Sequence, residues 1–119
     1  MKRCYFTSHK GKEIFCIDVN CPAEEFEALL EESAGIIRNK PFSTMLVLAI
    51  GGEAAPITTN KGLFIEYLAM NAPHVKASAV AGLPMIQKEM FTGIMSLAQR
   101  EMKFFNEPSE AMDWLVSVR

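Results

Sequence analysis

The run Thr44-Met45-Leu46-Val47-Leu48-Ala49-Ile50 constrains this chain more than any other segment. A half-wetted strand alternates apolar with polar residues, because successive side chains point to opposite faces. A strand apolar at consecutive positions offers both faces for burial, the pattern of a parallel sheet layered with helices. Parallel strands need long crossovers, so helical segments should flank this run. Before it, Asn20-Cys21-Pro22 opens a helix with Pro22 in the first turn. Phe26, Leu29, Leu30, Ser33, Ala34 and Ile37 then recur at helical spacing. Glu24, Glu25, Glu27, Glu31 and Glu32 cover the wet side, Arg38 and Lys40 suit the negative end of the helix dipole, and Pro41 stops the helix. After the run, Gly51-Gly52-Glu53-Ala54-Ala55-Pro56 reads as a loop. Thr58 or Thr59 is the expected cap of a second helix reaching about Asn71, with Leu63, Phe64, Tyr67, Leu68 and Met70 as its apolar positions.

The alternation continues to the end of the chain. Val75–Ala81 is a strand of small residues that lets helices approach closely on both sides, and Gly82-Leu83-Pro84 turns into a Met-rich helix from about Met85 to Gln99. Met102–Asn106 is a short strand, and Pro108–Val118 a last helix packing Ala111, Met112, Leu115 and Trp114. Upstream, Lys2–Ser8 and Glu13–Val19 form a hairpin turned at Lys10-Gly11-Lys12, where Gly accepts the positive φ of a tight turn. Ile14 and Cys16 face one way on the second strand, Phe15, Ile17 and Val19 the other, which places that strand inside the sheet. The expected fold is α/β: a small mixed, mostly parallel sheet with an N-terminal hairpin and about four helices. With 119 residues and no repeat or linker, residues 1–119 should form a single domain.

Charge and cysteine usage narrow the function. A formal net charge of -2 gives no general attraction to phosphate backbones, so no nucleic-acid partner is expected. No apolar run approaches the roughly 18 residues of a membrane span, which argues against stable membrane insertion. Met1-Lys2-Arg3-Cys4-Tyr5 leads into Thr7-Ser8-His9-Lys10 instead of an apolar signal core, so a cytoplasmic location is expected. Cys4, Cys16 and Cys21 show neither a Cys-x-x-Cys spacing nor an even count, and read as small hydrophobes in a reducing compartment.

Several strings resemble the bacterial STAS-like family, related in fold to sporulation anti-sigma-factor antagonists and linked with CRAL-TRIO lipid-binding domains. They are Asn71-Ala72-Pro73-His74-Val75-Lys76-Ala77-Ser78-Ala79-Val80-Ala81-Gly82 with Gln87-Lys88, the strand Met102-Lys103-Phe104-Phe105-Asn106, and Glu110-Ala111-Met112-Asp113-Trp114-Leu115. The resemblance spans roughly residues 13–119 and implies a STAS-like α/β domain with a regulatory or ligand-binding role. It carries no catalytic residue. The phosphorylatable Asp-Ser-Ser-Gly-like turn of the antagonists has no counterpart in Ile50-Gly51-Gly52-Glu53-Ala54-Ala55-Pro56-Ile57-Thr58-Thr59-Asn60.

The residues themselves offer no nucleophile–base pair and no metal-ligand spacing around His9 or His74, so no catalytic residue, metal or cofactor is expected. Gly51-Gly52 lacks the Gly-Lys-Ser/Thr of a phosphate loop. Its position still matters, because ligands of open parallel sheets lie beyond the carboxyl ends of the strands. Gly51–Thr59, Gly82–Pro84 and Asn106–Pro108 should share that edge. The Met-rich helix carries Met85, Ile86, Met90, Phe91, Ile94, Met95, Leu97 and Ala98, a broader apolar arc than one packing stripe requires. Its outermost residues are expected to be Met85 and Phe91. The candidate ligand- or partner-binding residues are therefore Gly51, Gly52, Thr58, Thr59, Gly82, Met85, Met90 and Phe91. The reading that follows is a non-catalytic regulatory or ligand-binding domain acting through protein contact, self-association as a homodimer included. One alternative is a carrier of a lipid or other apolar small molecule, held between the sheet and the Met-rich helix. Another is an enzyme of unrecognised chemistry.

Overall fold

Lys10 and Gly11 take φ values of 50° and 81°, the left-handed pair that a two-residue hairpin turn requires. They join β1 (Cys4–His9) to β2 (Lys12–Asp18) in the computed structural model, which describes residues 3–53, 56, 61–98, 100 and 102–118. There follow α1 (Ala23–Arg38), β3 (Met45–Ile50), α2 (Lys61–Asn71), a 3-10 turn (Ala72–His74), β4 (Val75–Ala81), α3 (Met85–Ala98), β5 (Lys103–Phe105) and α4 (Pro108–Ser117). The strands form one sheet in the order β1-β2-β3-β4-β5. β1 pairs antiparallel with β2, and every later pairing is parallel. The chain is thus α/β with a mixed, mostly parallel sheet, as the alternation of elements required.

Consecutive strand order dictates where the helices lie. Parallel crossovers share one hand, so successive crossovers that step in the same direction put their helices on the same face. Phe15, Ile17, Val47 and Val80 accordingly pack against α1, α2 and α3 through Phe26, Leu30, Ile37, Phe64, Leu68, Phe91 and Ile94. Phe26, Phe64, Phe91 and Phe104 form an edge-on aromatic chain through α1, α2, α3 and β5, with ring centroids 5.5, 5.4 and 5.9 Å apart. The other face belongs to α4, where Ala111 and Leu115 meet Ile14, Cys16, Leu46, Leu48, Ala79 and Ala81. The alanines of β4 hold no bulk there, so the last helix closes down on the sheet.

Three expectations need correction. Pro22 is the residue preceding α1 and not part of its first turn. Met70 is exposed, because it stands about 200° round α2 from the buried Leu68. Phe91, expected among the outermost residues of α3, is only 1% exposed, wedged between Phe64 and Phe104. Helical phase explains it: Phe91, Ile94, Met95 and Ala98 share the inward face. Thr58 and Thr59, the expected caps of α2, lie outside the described residues. Among the described residues no helix is long and apolar enough to cross a membrane.

Candidate functional site

At the carboxyl edge of the sheet, each strand is tied to the next just as it ends. Val19 N–H donates to Ile50 C=O at 2.9 Å, Gly51 N–H to Ala81 C=O at 2.8 Å, and Gly82 N–H to Phe105 C=O at 3.1 Å. The glycines singled out in the sequence serve this close stitching. A Cβ on Gly51 would come within 2.3 Å of Leu83 Cδ2, and one on Gly52 within 2.7 Å of the Asn20 side chain. Gly82 holds φ at 84° with its missing side chain directed at Gly51 C=O. Leu83 and Asn20 thus fill the space beside Gly51 and Gly52 that a ligand would use.

Among the described residues, this edge leaves a gap between β4 and β5. The chain leaves β4 toward α3 on one face and leaves β5 toward α4 on the other, the divergence that creates ligand crevices in open sheets. Here Lys88 Nζ spans it to Asn106 Oδ1 at 3.5 Å. Glu110 turns back to accept from Glu107 N–H at 3.2 Å, so carboxylates already occupy the positive end of the α4 dipole. Of the expected edge, residues 51–53, 82–84 and 106–108 are among the described residues, and at α4 the protein's own Glu107 and Glu110 occupy the helix N-terminus.

Where a cavity was expected between the sheet and the Met-rich helix, the structure has a small, partly enclosed cavity of about 20 Å³, lined by Ile17, Val47, Phe64, Tyr67, Asn71 and Arg100 among others. That volume suits one water-sized particle and does not hold a lipid tail. Its polar rim went unforeseen in the sequence. Tyr67 hydroxyl lies 2.7 Å from Ser33 Oγ, and because Ser33 donates to Leu29 C=O at 2.9 Å, Tyr67 is the donor of the pair. Burial pushes the Tyr67 hydroxyl up to about 12. Arg100 donates to Leu68 C=O at 3.2 Å and to Ser78 Oγ at 2.5 Å, and burial lowers its guanidinium to about 10. A polar Asn71 four residues after Tyr67, on the buried face of a helix, was the available sequence signal.

The other titratable groups among the described residues serve local contacts. His74 Nδ1 donates to Lys40 C=O at 2.7 Å, tying β4's approach to the end of α1. His9 and Lys10 meet Asp113 at the surface. Among the described residues no group of three His, Cys, Asp or Glu side chains is placed to hold a metal ion. Cys16 is buried and its thiol is pushed up to about 11, mainly by desolvation, so it is a poor nucleophile near neutral pH.

The Met-rich helix gives a divided answer to the sequence reading. Phe91, Ile94, Met95 and Ala98 belong to the core. Met85, Ile86, Met90 and Leu97 are 74%, 69%, 41% and 69% exposed. Ile86, Met90 and Leu97 fall with Gly93 on one stripe, roughly 120° round the helix from the core face. Their spacing of four, three and four residues is that of a helix–helix seam. Nothing lies within 4 Å of where a Gly93 Cβ would stand, so the stripe has an open notch in its middle. Of the residues singled out beforehand, Met85 and Met90 are surface groups of this helix, while Gly51, Gly52 and Gly82 lie together at the carboxyl edge of the sheet.

No protein family, curated protein or solved structure matches this chain.

Proposed function

We propose that this chain is a non-catalytic regulatory domain that acts through protein–protein contact, with the outward stripe of α3 as its contact face. The observation that carries the reading is the exposure of Ile86, Met90 and Leu97 on one side of a helix that already buries a separate apolar face. Docking on the sheet needs one stripe, so the second has no part in holding the monomer together. Water-exposed aliphatic side chains in a row raise the free energy of the isolated domain, and covering them recovers about 25 cal/mol per Å². A partner helix, supplied by another protein or by a second copy of this chain, suits the four–three–four spacing and the notch at Gly93. Methionine adds adaptability, since its thioether and three torsions reshape to fit a partner surface. The STAS-like resemblance of residues 13–119 supports a regulatory role, and three cysteines outside any disulfide fit a cytoplasmic setting.

A photocrosslinking residue placed at Met90 tests this in cells of the native host. It should capture one discrete protein, this chain included, whereas the same residue at Glu31 on the outer side of α1 should capture none. The Ile86→Asp/Leu97→Asp variant should lose the adduct and keep its melting temperature. Absence of an adduct at Met90 would remove α3 as the contact face.

A further inference from the structure

Arg100 is a partly buried cation at the margin of the core. Arg100 donates to the neutral acceptors Leu68 C=O and Ser78 Oγ. Among the described residues, no carboxylate oxygen stands within 4.0 Å of its guanidinium. A guanidinium drawn out of water is costly unless a counter-charge or a full set of acceptors compensates it.

A neighbouring group lacks an acceptor. Asn71 is fully buried, and Arg38 Nε donates to its Oδ1 at 2.9 Å. Because a guanidinium can only donate, that bond fixes which end of the amide is oxygen. The other end, Nδ2, is a buried donor without a partner. Arg100 and Asn71 line the same small cavity of about 20 Å³, whose remaining walls are largely apolar.

We propose that this cavity binds a single monovalent anion of chloride size, held by the Arg100 guanidinium and the Asn71 amide. Size sets the class, since a cavity of this volume takes one particle comparable with a water molecule and excludes phosphate, sulfate or a lipid carboxylate with its chain. Hydrogen-bond sense separates the anion from water. The group left without a partner here, Asn71 Nδ2, is a donor, and a water would bring two further hydrogens into a mostly apolar space. A halide only accepts, and it also neutralises the partly buried charge. The bound anion would tie the end of α2 to Arg100 beyond α3, beneath the same side of the sheet. This inference is independent of the α3 contact face and survives or fails without it.

The experiment is thermal unfolding of the intact protein in sodium chloride, sodium bromide and sodium gluconate at equal ionic strength. The folded-to-unfolded ratio should rise about tenfold for each tenfold increase in chloride above its dissociation constant, and gluconate should give no such rise. Arg100→Met, which keeps the apolar stem and removes the charge, should abolish the difference between the salts. Equal melting curves in the three salts, or an undiminished chloride effect in the variant, would overturn the proposal. Crystals of the wild-type protein grown in bromide give a readout that does not depend on the variant folding. An anomalous peak between Arg100 and Asn71 supports the site, and a bromide-free cavity at saturating salt overturns it.

Discussion

His9 Nε2 lies 2.8 Å from Asp113 Oδ1, so the tip of the opening hairpin is clasped to the last helix across 104 positions of sequence. Lys10 Nζ approaches the same oxygen at 3.0 Å, and Lys12 Nζ donates to Val116 C=O at 2.9 Å. Together they hold the β1–β2 edge of the sheet over the face that α4 covers. The bond from His9 and then that from Lys10 keep the Asp113 carboxyl below its ordinary value of 3.8.

The sign of the resulting pH dependence follows from that depression. A carboxylate with a lowered folded pKa adds stability that is fully present above its unfolded value and is lost as pH falls through the folded one. Asp113→Asn should therefore melt lower than the wild type at neutral pH. The gap should persist down to about pH 5 and close below the ordinary carboxylate range. Both groups are at the surface, so added salt should narrow it. Melting curves from pH 2 to 7, with and without salt, check this, and a gap that widens in acid contradicts the clasp.

Two glycines should respond in opposite directions to the same substitution. Gly51→Ala drives a methyl into Leu83, which must move, and should cost about 1–3 kcal/mol. Gly93→Ala meets nothing and replaces a mid-helix glycine, so it should stabilise the domain by about 0.5–1 kcal/mol. Urea unfolding midpoints of both variants decide the matter. If Gly93→Ala raises monomer stability but weakens self-association or partner capture, the notch lies in the contact.

Phe91 and Ile86 stand five positions apart on α3 and should divide core from surface. Phe91→Ala removes the middle of the aromatic chain and should cost about 3–5 kcal/mol. Ile86→Asp should change stability by less than about 0.5 kcal/mol, because the side chain is in water already. Denaturant titration measures both, and a large loss from Ile86→Asp would show that the stripe is covered within the chain.

The cysteines should stay silent until the domain opens. All three are buried, and desolvation raises the thiols of Cys16 and Cys21. Iodoacetamide at neutral pH should label none of them in the native protein and all of them in denaturant. Rapid native labelling would mean that a core strand opens locally.

The sequence determined the elements and their order, because apolar periodicity and turn residues are local properties. Lys10-Gly11 could hardly be anything but a hairpin turn, and the burial of Phe26, Leu29, Leu30, Ser33, Ala34 and Ile37 follows from a spacing that only one helix face satisfies. Tertiary structure decided which of two apolar arcs on α3 turns inward. Phe91 and Met90 are adjacent and both apolar, and only the position of β5 and α2 assigns one to the core and the other to water. It likewise decided that Gly51 serves the approach of Leu83, and that Arg100 lines one cavity with Leu68 and Asn71 while bonding to Ser78 and Leu68. Those groups are separated by 22 and 32 positions in their hydrogen bonds, and pairings at such distances carry no periodic signal along the chain. They arise when consecutive right-handed crossovers bring the ends of α2 and α3 to the same side of the sheet.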